Sequence, residues 1–569
     1  MEYGLKNKNE ITDMMKMRKT VMICCLLLSV AGCLAQPGWV KNASKSVFTL
    51  KTFSADGSLI ASSNGFFTGA NGEAVSNFTP FKGATRAVII DFQGKELPVV
   101  GILGANDMYD VVKFRVKGKT QPIGISATTA SEGSNVWLLP YHEVKNVKMG
   151  VVRKAEKFHQ NYDYYTVAMT MPENTVSCPL VNEAGEVIGL MQQPASLKDT
   201  LSYAVGASFA DSLKITGFTM NDATLKLTSI KKELPDNITE ATLALYLANS
   251  QADSLTYVMM VNDFIEKFPN SPDGYSYRAQ MLSNSGDFAS AQKDMEQAIK
   301  LAEKKEEAHF SYARLIYNKE IYQSAQPYPN WSLDKALSEI REAIGIAPQP
   351  TYRQLEAAIL FAQQHYDEAY DIYHELSDTE LRSAEIFYAA ARCKEMQKDT
   401  TAMLALMDST MNTFSKPYLK EAAPYLWARA QARVNAGKYR DGINDMNEYE
   451  DLMKATIDDN FYYVRHQAEI KGRLYQQALN DINRAIQMNP QEILYYAEKA
   501  SLEVRVGMYD QAIVTAQECI QVDPDNSDGY LFLGLAQCLK GQKAEGIANL
   551  QKARDLGDAQ AEGLIEKYK

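Results

Sequence analysis

Short apolar segments rich in β-branched residues alternate with Gly, Asn and Asp turns over the amino-terminal third of the chain. They begin near Ser46 and end near Ile215, and they include SVFTLKTF, RAVIIDF, ELPVVGIL, DVVKFRV, NVWLLPY and EVIGLM. Apolar runs of this length between turn residues are typical of β-strands, and several of them at regular spacing predict an all-β sandwich or barrel. No pattern with a helical period interrupts them until FADSLKI.

From about Asp236 onward the pattern changes to helix-forming residues with small residues at fixed offsets. The segments LYQQALNDINRAIQMNP and MYDQAIVTAQECIQVDP place Pro490 and Pro524 34 positions apart. This spacing, with small residues where paired helices would cross, resembles the tetratricopeptide repeat. We expect eight or so repeats, which are clear from Pro272 and again from Phe461 and degenerate between Thr379 and Lys416.

A targeting segment precedes both regions. Lys16, Arg18 and Lys19 stand before the apolar run from Val21 to Val30, which is too short to span a bilayer and is typical of a secretory signal. Residues 1–35 are therefore interpreted as an extension followed by a signal peptide. Cleavage before Gln36 by an ordinary signal peptidase competes with acylation of Cys33 in the lipoprotein-like sequence VAGC.

Composition and charge narrow the class of protein. Hydrophobic residues make up 46% and charged residues 23%, which excludes wholesale disorder and a bundle of membrane helices. Residues Gln36 to Met220 include 17 Lys and Arg and 15 Asp and Glu, which gives a net charge of +2. Residues Asn221 to Lys569 include 37 Lys and Arg and 52 Asp and Glu, which gives a net charge of −15. The acidic half argues against nucleic acid and anionic membrane surfaces as partners.

Several motifs of the β-rich region resemble the trypsin-like serine proteases, especially the periplasmic quality-control branch. The stretch NGFFTGANGEAVSNFTPFKGA is similar to the one that carries the catalytic histidine, MYDVVKFRV to the strand of the triad aspartate, and NTVSCPLVNEAGEVIGL to the segment of the nucleophilic serine. The resemblance implies a degenerate double β-barrel over 36–220. A linker at 221–240 and an all-α tetratricopeptide superhelix over 241–569 would follow.

The resemblance places other residues at the catalytic positions. Thr79 stands where the histidine is expected, Asp110 where the aspartate is expected, and Val176 where the serine is expected. Asn174 replaces a glycine whose N–H would contribute to the oxyanion hole. Because a serine needs a neighbouring base, the loss of histidine and serine implies an inactive protease domain. Moving the nucleophile to Ser177 would break four matches of the motif, at Pro179, Leu180, Gly185 and Gly189.

Other reactive side chains have structural interpretations. Cys178 is expected to be a core residue, and His142 and His159 are expected in loops. Tyr462 and His466 fall at offsets that face the groove of the repeats, although packed or solvated helix positions explain them equally well. The sequence contains no phosphate-binding loop, zinc-ligand pair or calcium loop, so we expect no cofactor and no metal.

Together these patterns predict an exported binding or scaffold protein of the periplasm or cell envelope. Its partner would be a protein or peptide bound in a groove of the repeats, which we expect to be acidic and rich in tyrosine. No membrane-spanning segment is expected after signal cleavage, and a lipid anchor on Cys33 is the open alternative. The alternative function is an active trypsin-like envelope endopeptidase whose repeats recruit substrate.

Overall fold

The computed structural model describes residues 37–142, 147–251 and 253–569. The signal peptide and Cys33 lie outside the described residues. The chain divides into two compact units, Met1–Met281 and Leu282–Lys569.

Twelve strands form two closed antiparallel barrels in the first unit. The strand order is β1-β2-β3-β6-β5-β4 in barrel 1 and β10-β11-β12-β9-β8-β7 in barrel 2. In neither barrel does the strand order follow the chain, because β3 pairs with β6 and β1 with β4 in barrel 1, and β9 pairs with β12 and β7 with β10 in barrel 2. The apolar segments predicted a β sandwich or barrel, and the structure has closed barrels. The strands are β1 Val47–Phe53, β2 Leu59–Phe67, β3 Glu73–Ser76, β4 Arg86–Ile90, β5 Glu96–Asn106, β6 Val111–Val116, β7 Asn135–Leu138, β8 Lys148–Phe158, β9 Tyr162–Ala168, β10 Pro179–Val181, β11 Val187–Met191 and β12 Leu201–Gly206.

Large apolar side chains fill the interior of each barrel. Phe48, Phe67 and Phe114 pack against one another in barrel 1, and their rings are at most 2% exposed. A Cβ atom at Gly65 of β2 would lie 2.6 Å from the ring of Phe48 and 2.3 Å from the carbonyl oxygen of Val75. A glycine is therefore needed at this position, where β2 passes close to β3 and to the ring beneath it.

The segment that follows the barrels continues the core of barrel 1. The N–H of Ile102 in β5 donates to the carbonyl of Lys231 at 2.8 Å, and the N–H of Glu233 donates back to the carbonyl of Ile102 at 2.9 Å. Arg115 of β6 also binds the carboxylate of Glu233 at 2.9 Å. Part of the stretch predicted as a linker thus lies hydrogen bonded along β5.

The described residues of the first unit contain six α-helices, the last of which extends beyond Met281. Buried residues of α4 and α5, among them Leu245 and Phe264, belong to the same apolar cluster as the interior of barrel 1. The barrel and these first two long helices therefore share one hydrophobic core. The helices are α1 Val40–Ala43, α2 Ala207–Ser212, α3 Ala223–Lys226, α4 Ile238–Gln251, α5 Ser254–Lys267 and α6 Pro272–Asn284.

The second unit consists of antiparallel helix pairs in which each helix packs on the next along the chain. Small buried residues such as Ala357, Ala430 and Ala500 lie where the helices of a pair cross. The fold class predicted from the sequence, a double β-barrel followed by an all-α repeat array, is confirmed. The helices are α7 Phe288–Leu301, α8 Lys305–Tyr322, α9 Leu333–Ile346, α10 Pro350–Ala362, α11 Tyr366–Leu376, α12 Ala384–Met396, α13 Thr400–Met411, α14 Ala423–Asn435, α15 Tyr439–Met453, α16 Asp459–Lys471, α17 Tyr475–Met488, α18 Ile493–Arg505, α19 Tyr509–Val522, α20 Ser527–Lys540, α21 Lys543–Asp555 and α22 Ala561–Tyr568.

Candidate functional site

The residues singled out by the protease motifs meet between the two barrels. Thr79 begins a short 3-10 turn after β3, and Asp110 ends the turn before β6 with a left-handed φ of 50°. The backbone N–H of Thr79 donates to Asp110 Oδ1 at 2.6 Å, and the side-chain amide of Asn77 donates to Oδ2 at 3.4 Å. The Asp110 carboxylate therefore fixes the backbone of the segment that contains Thr79.

Val176 and Ser177 lie in the loop that leads into β10. Val176 is partly buried against the core of barrel 2, whereas Ser177 is fully buried and has a φ of 64°. The Ser177 hydroxyl donates to Asn77 Oδ1 at 2.9 Å and accepts the backbone N–H of Asn77 at 3.0 Å. These two bonds join the loop of barrel 2 to the end of β3 in barrel 1.

Asn64 of β2 makes a second set of bonds to the same loop. Its side-chain amide donates to the carbonyl oxygens of Asn174 at 2.7 Å and Val176 at 3.1 Å, and the side chain is 6% exposed. Asn174 has a φ of 56°, a left-handed conformation that asparagine tolerates better than most residues. Asn64 and Asn77 therefore hold this loop at two points against barrel 1.

The bonds of Ser177 decide what this site can do chemically. A carboxamide oxygen such as Asn77 Oδ1 has no useful basicity near neutral pH, so it holds the hydroxyl proton without removing it. Full burial also separates the hydroxyl from solvent. The arrangement is suited to linking two barrels through a satisfied polar network.

The remaining candidate side chains of this unit lie outside this network. Cys178 is fully buried, and burial raises the pKa of its thiol to about 12, which opposes thiolate formation at neutral pH. His142 and His159 are exposed at positions with positive φ, and the ring of His159 stacks on Phe209 with 6.0 Å between centroids. Both histidines occupy turns, as expected.

Asn64 and Asn77 are functional candidates that the sequence reasoning missed. Each of them directly follows a serine, at a point where a strand approaches the other barrel. The hydroxyl of Ser63, the serine before Asn64, donates a hydrogen bond to Asn77 Oδ1 at 2.6 Å. The only sequence signal is the repeated Ser-Asn dipeptide within the segments that carry the protease resemblance. Their partners in the loop before β10 lie 100 to 112 positions away along the chain, so sequence periodicity could not reveal them.

Buried ion pairs connect the helices of several repeats in the second unit. Arg465 of α16 binds Asp481 of α17 through two hydrogen bonds of 2.6 and 3.0 Å, and both side chains are 5% exposed. Arg429 of α14 binds Asp445 of α15 in the same way, at 3.0 and 2.7 Å. The sequence analysis did not identify these pairs, which stand at matching positions of successive repeats.

His466 and Glu469 lie beside the Arg465 pair on α16. His466 Nδ1 hydrogen bonds to the carbonyl of Ala478 at 2.8 Å, and the ring is fully buried, so that its packed interpretation is correct. Tyr462 is partly buried, and its hydroxyl donates to Glu450 Oε1 at 2.8 Å. Burial, with the charge of Asp481 nearby, raises the pKa of Glu469 to about 8.

The described part of the chain holds neither a cluster of metal ligands nor a membrane-spanning helix. Over 37–142, 147–251 and 253–569, no group of three or more His, Cys, Asp or Glu side chains is arranged to hold a metal ion. Within the same ranges, no helix has both the length and the apolar character needed to cross a membrane.

The sequence relatives of this chain include tetratricopeptide proteins, and each is similar to only a short part of it. No family model matches the sequence. The chain is 33% identical over 95 residues to small glutamine-rich tetratricopeptide repeat-containing protein 2 of Saccharomyces cerevisiae, which covers 16% of this chain and 28% of that protein. It is 26% identical over 105 residues to the Hsp70-Hsp90 organizing protein of Triticum aestivum, covering 17% and 18% respectively. The chain thus spans less than a third of the length of either relative.

Two solved structures are similar to the first unit. The active form of the Rv3671c protease from M. tuberculosis has a TM-score of 0.27 and 16% identity and covers 31% of this chain and 82% of its own. The serine endoprotease from Yersinia pestis has the same TM-score and identity and covers 30% and 62%. The two closed six-stranded barrels agree with the double β-barrel that the protease resemblance implies, and the tetratricopeptide relatives agree with the repeat array.

Proposed function

We propose that the protein is an exported binding or scaffold protein of the periplasm or cell envelope. Its trypsin-like domain is a pseudoprotease, and its tetratricopeptide array binds a protein or peptide partner. The observation that carries the proposal is the pair of hydrogen bonds between Ser177 and Asn77. They support an interface role for the serine nearest the catalytic position.

The residues at the catalytic positions support the same proposal. Thr79 carries no group that could accept a proton near neutral pH, and Val176 carries no nucleophile. Asp110 is engaged by the backbone of Thr79. Covalent catalysis of the triad type therefore has neither its base nor its nucleophile at these positions.

Export rests on the sequence of residues 16–35, and partner binding rests on the array. Stacked helix pairs present a long surface that suits extended segments of other proteins. The Hsp70-Hsp90 organizing protein, one of the relatives, is named for assembling two other proteins. A comparable adaptor role suits the array of this chain.

The direct test is incubation of the mature chain, 36–569, with casein. We expect casein to remain intact over hours at neutral pH, and the same result for the Ser177→Ala variant. An exposed serine of barrel 2 supplies the matched control, Ser131→Ala. Cleavage by the unmodified chain that persists in Ser131→Ala and disappears in Ser177→Ala would establish the alternative, an envelope endopeptidase.

A further inference from the structure

Aromatic side chains form a repeated contact between the first helices of successive pairs in the array. Tyr388 of α12 contacts Tyr425 of α14, with 5.5 Å between ring centroids. Trp427 of α14 contacts Phe461 of α16 at 5.6 Å. The same contact continues from α16 to α18 through Tyr463 and Tyr495 at 5.3 Å, and it occurs earlier between Phe310 of α8 and Tyr352 of α10 at 4.9 Å.

In each of these contacts, the ring on the helix that comes earlier in the chain is partly exposed. Phe461 and Tyr495 are 5% exposed, whereas Tyr388, Trp427 and Tyr463 retain partial access to solvent. We call Tyr388, Trp427 and Tyr463 the ring row. The first helices of three successive pairs, α12, α14 and α16, thus each carry a partly exposed aromatic ring. Each of these rings contacts a second ring on the first helix of the next pair.

A second row of side chains runs parallel to the ring row, one helical turn later. Residues four positions apart lie on the same face of a helix. Four positions after each ring stand Arg392, Gln431 and Gln467, which we call the donor row. Each of them ends in a planar group that carries several N–H donors, either a guanidinium or a carboxamide. The Gln467 amide donates one N–H to the Tyr463 hydroxyl at 2.7 Å and keeps a second one for a ligand.

Acidic side chains flank this surface, with Glu385 and Glu395 on α12 and with Glu492 and Glu498 near Tyr463. Glu395 binds Arg392 at 2.8 Å, and Glu385 accepts a hydrogen bond from Gln354 at 3.2 Å. The donor row itself contains no carboxylate. The ring row and the donor row thus supply rings and N–H donors, within a half of the chain that has a net charge of −15.

A proline-rich segment has the complementary chemistry. Each proline offers a carbonyl acceptor and no backbone N–H, so a row of donors satisfies it without any acceptor in return. Extended polyproline II segments dock in aromatic-lined grooves at little entropic cost, because they are already extended before binding.

From this match we infer that the face formed by the ring row and the donor row binds a proline-rich segment of a protein partner in the extended polyproline II form. The prolines stack on Tyr388, Trp427 and Tyr463, and the chain carbonyls accept hydrogen bonds from Arg392, Gln431 and Gln467. This inference rests on the proposed function of the array and names the chemistry of its partner.

The test measures fluorescence anisotropy of labelled nine-residue peptides with the full mature chain. Three peptides are compared, built from three repeats of Pro-Pro-Ala, Gly-Ser-Ala or Glu-Ser-Ala. We expect saturable binding of the first peptide alone. Equal or tighter binding of the acidic peptide, or no binding of the proline peptide at millimolar concentration, overturns the inference.

Substitutions locate the binding to this face. Arg392→Ala and Gln431→Ala alter exposed side chains and should each weaken binding of the proline peptide about tenfold, equivalent to about 1.4 kcal/mol. Arg440→Ala, at an exposed arginine at the start of α15, is the matched control and should leave the affinity unchanged. Trp427→Phe should retain binding and Trp427→Ala should lose it. Binding that is insensitive to Arg392→Ala, Gln431→Ala and Trp427→Ala contradicts the proposed site.

A parallel experiment separates this inference from the proposed function. The mature chain is used to retrieve proteins from envelope extract, with and without excess proline peptide. Retrieval that persists while the peptide fails to bind leaves the scaffold role in place and refutes the proline-rich partner. If neither the peptide nor any extract protein binds, the proposed function fails as well.

Discussion

At the scale of single residues, Asn77 is the centre of the interface between the barrels. Its side chain accepts hydrogen bonds from the hydroxyls of Ser63 and Ser177 and donates to Asp110, while its backbone N–H donates to Ser177. A buried hydroxyl that loses its partner incurs the full cost of desolvation. The network should therefore contribute to stability.

We predict that Asn77→Ala lowers the free energy of unfolding by about 1–3 kcal/mol, because it leaves the buried Ser177 hydroxyl without its acceptor. Urea denaturation followed by circular dichroism measures this change. Asn135→Ala, at an exposed asparagine of β7, is the control and should change stability by no more than about 0.5 kcal/mol. A loss for Asn77→Ala no larger than that of the control would contradict the role of the network.

The pKa of Glu469 leads to a second prediction at this scale. Burial raises this pKa to about 8 from its usual 4.5. The folded state binds this proton more tightly than the unfolded state does. The contribution of protonated Glu469 to the free energy of unfolding is therefore fully present below about pH 4.5 and is lost as the pH rises to about 8. The loss amounts to at most about 1.4 kcal/mol per pH unit within that window.

Denaturation of the mature chain at pH 5 and pH 8.5 tests this prediction. The Glu469→Gln variant keeps the shape of the side chain without its ionisation, so it should be less destabilised than the unmodified chain on going from pH 5 to pH 8.5. Equal pH dependence of the two proteins would show that Glu469 ionises as freely in the folded state as in the unfolded one.

At the scale of elements, the buried Arg465–Asp481 pair holds α16 to α17. Removing one member of such a pair leaves an uncompensated buried charge, whereas replacing both with apolar residues is often close to neutral. Pairs of this kind at matching positions of successive repeats fix the register of helix against helix. Their net contribution to stability is a separate question, which substitution can answer.

We predict that Arg465→Met, which leaves the buried Asp481 carboxylate without its counter-ion, destabilises the array by about 3–5 kcal/mol, while the double variant Arg465→Met with Asp481→Leu loses less. Thermal unfolding of the three proteins provides the comparison. The exposed pair of Lys304 and Glu307, with side chains 70% and 59% exposed, supplies the control, and Glu307→Ala should change stability by no more than about 1 kcal/mol. An equal loss for the single and double variants would contradict the cost assigned to the unpaired charge.

The elements were largely predictable from the sequence, and the contacts between them were not. Alternation of apolar segments with turns predicted the strands, and the spacing of Pro490 and Pro524 predicted the repeats, because both patterns are local. The bonds from Asn64 to the loop at Asn174, and the pairing of Ile102 with Lys231, join positions more than a hundred residues apart. Such contacts depend on how the strands close into barrels, which local periodicity does not encode.

At the scale of the whole molecule, the uneven distribution of charge bears on how the array meets its partner. The net charges of +2 from Gln36 to Met220 and −15 from Asn221 to Lys569 would steer a basic or mixed-charge partner toward the array. Salt screens such steering, since the Debye length falls to about 8 Å at physiological ionic strength. We therefore predict slower association at higher salt, measured as the on-rate of a retrieved partner by surface plasmon resonance. An on-rate that is unchanged between low and physiological ionic strength would count against steering.

The mature amino terminus is a further prediction for the whole molecule. Cleavage between Ala35 and Gln36 should yield a chain that begins at Gln36, because the leading position of the lipoprotein-like sequence lacks its usual leucine. Intact mass spectrometry of protein purified from the envelope measures this directly. The mass of an acylated Cys33 would show instead that the protein is lipid-anchored.

The central claim is that a trypsin-like domain serves here without catalysis, and labelling with a fluorophosphonate probe tests it most directly. The probe reacts only with an activated serine hydroxyl, and the Ser177 hydroxyl donates its proton to an amide that cannot remove it. We predict no labelling of the mature chain at probe concentrations that label an active trypsin-like protease fully. Labelling of the unmodified chain that Ser177→Ala abolishes would contradict the account and identify the protein as an enzyme.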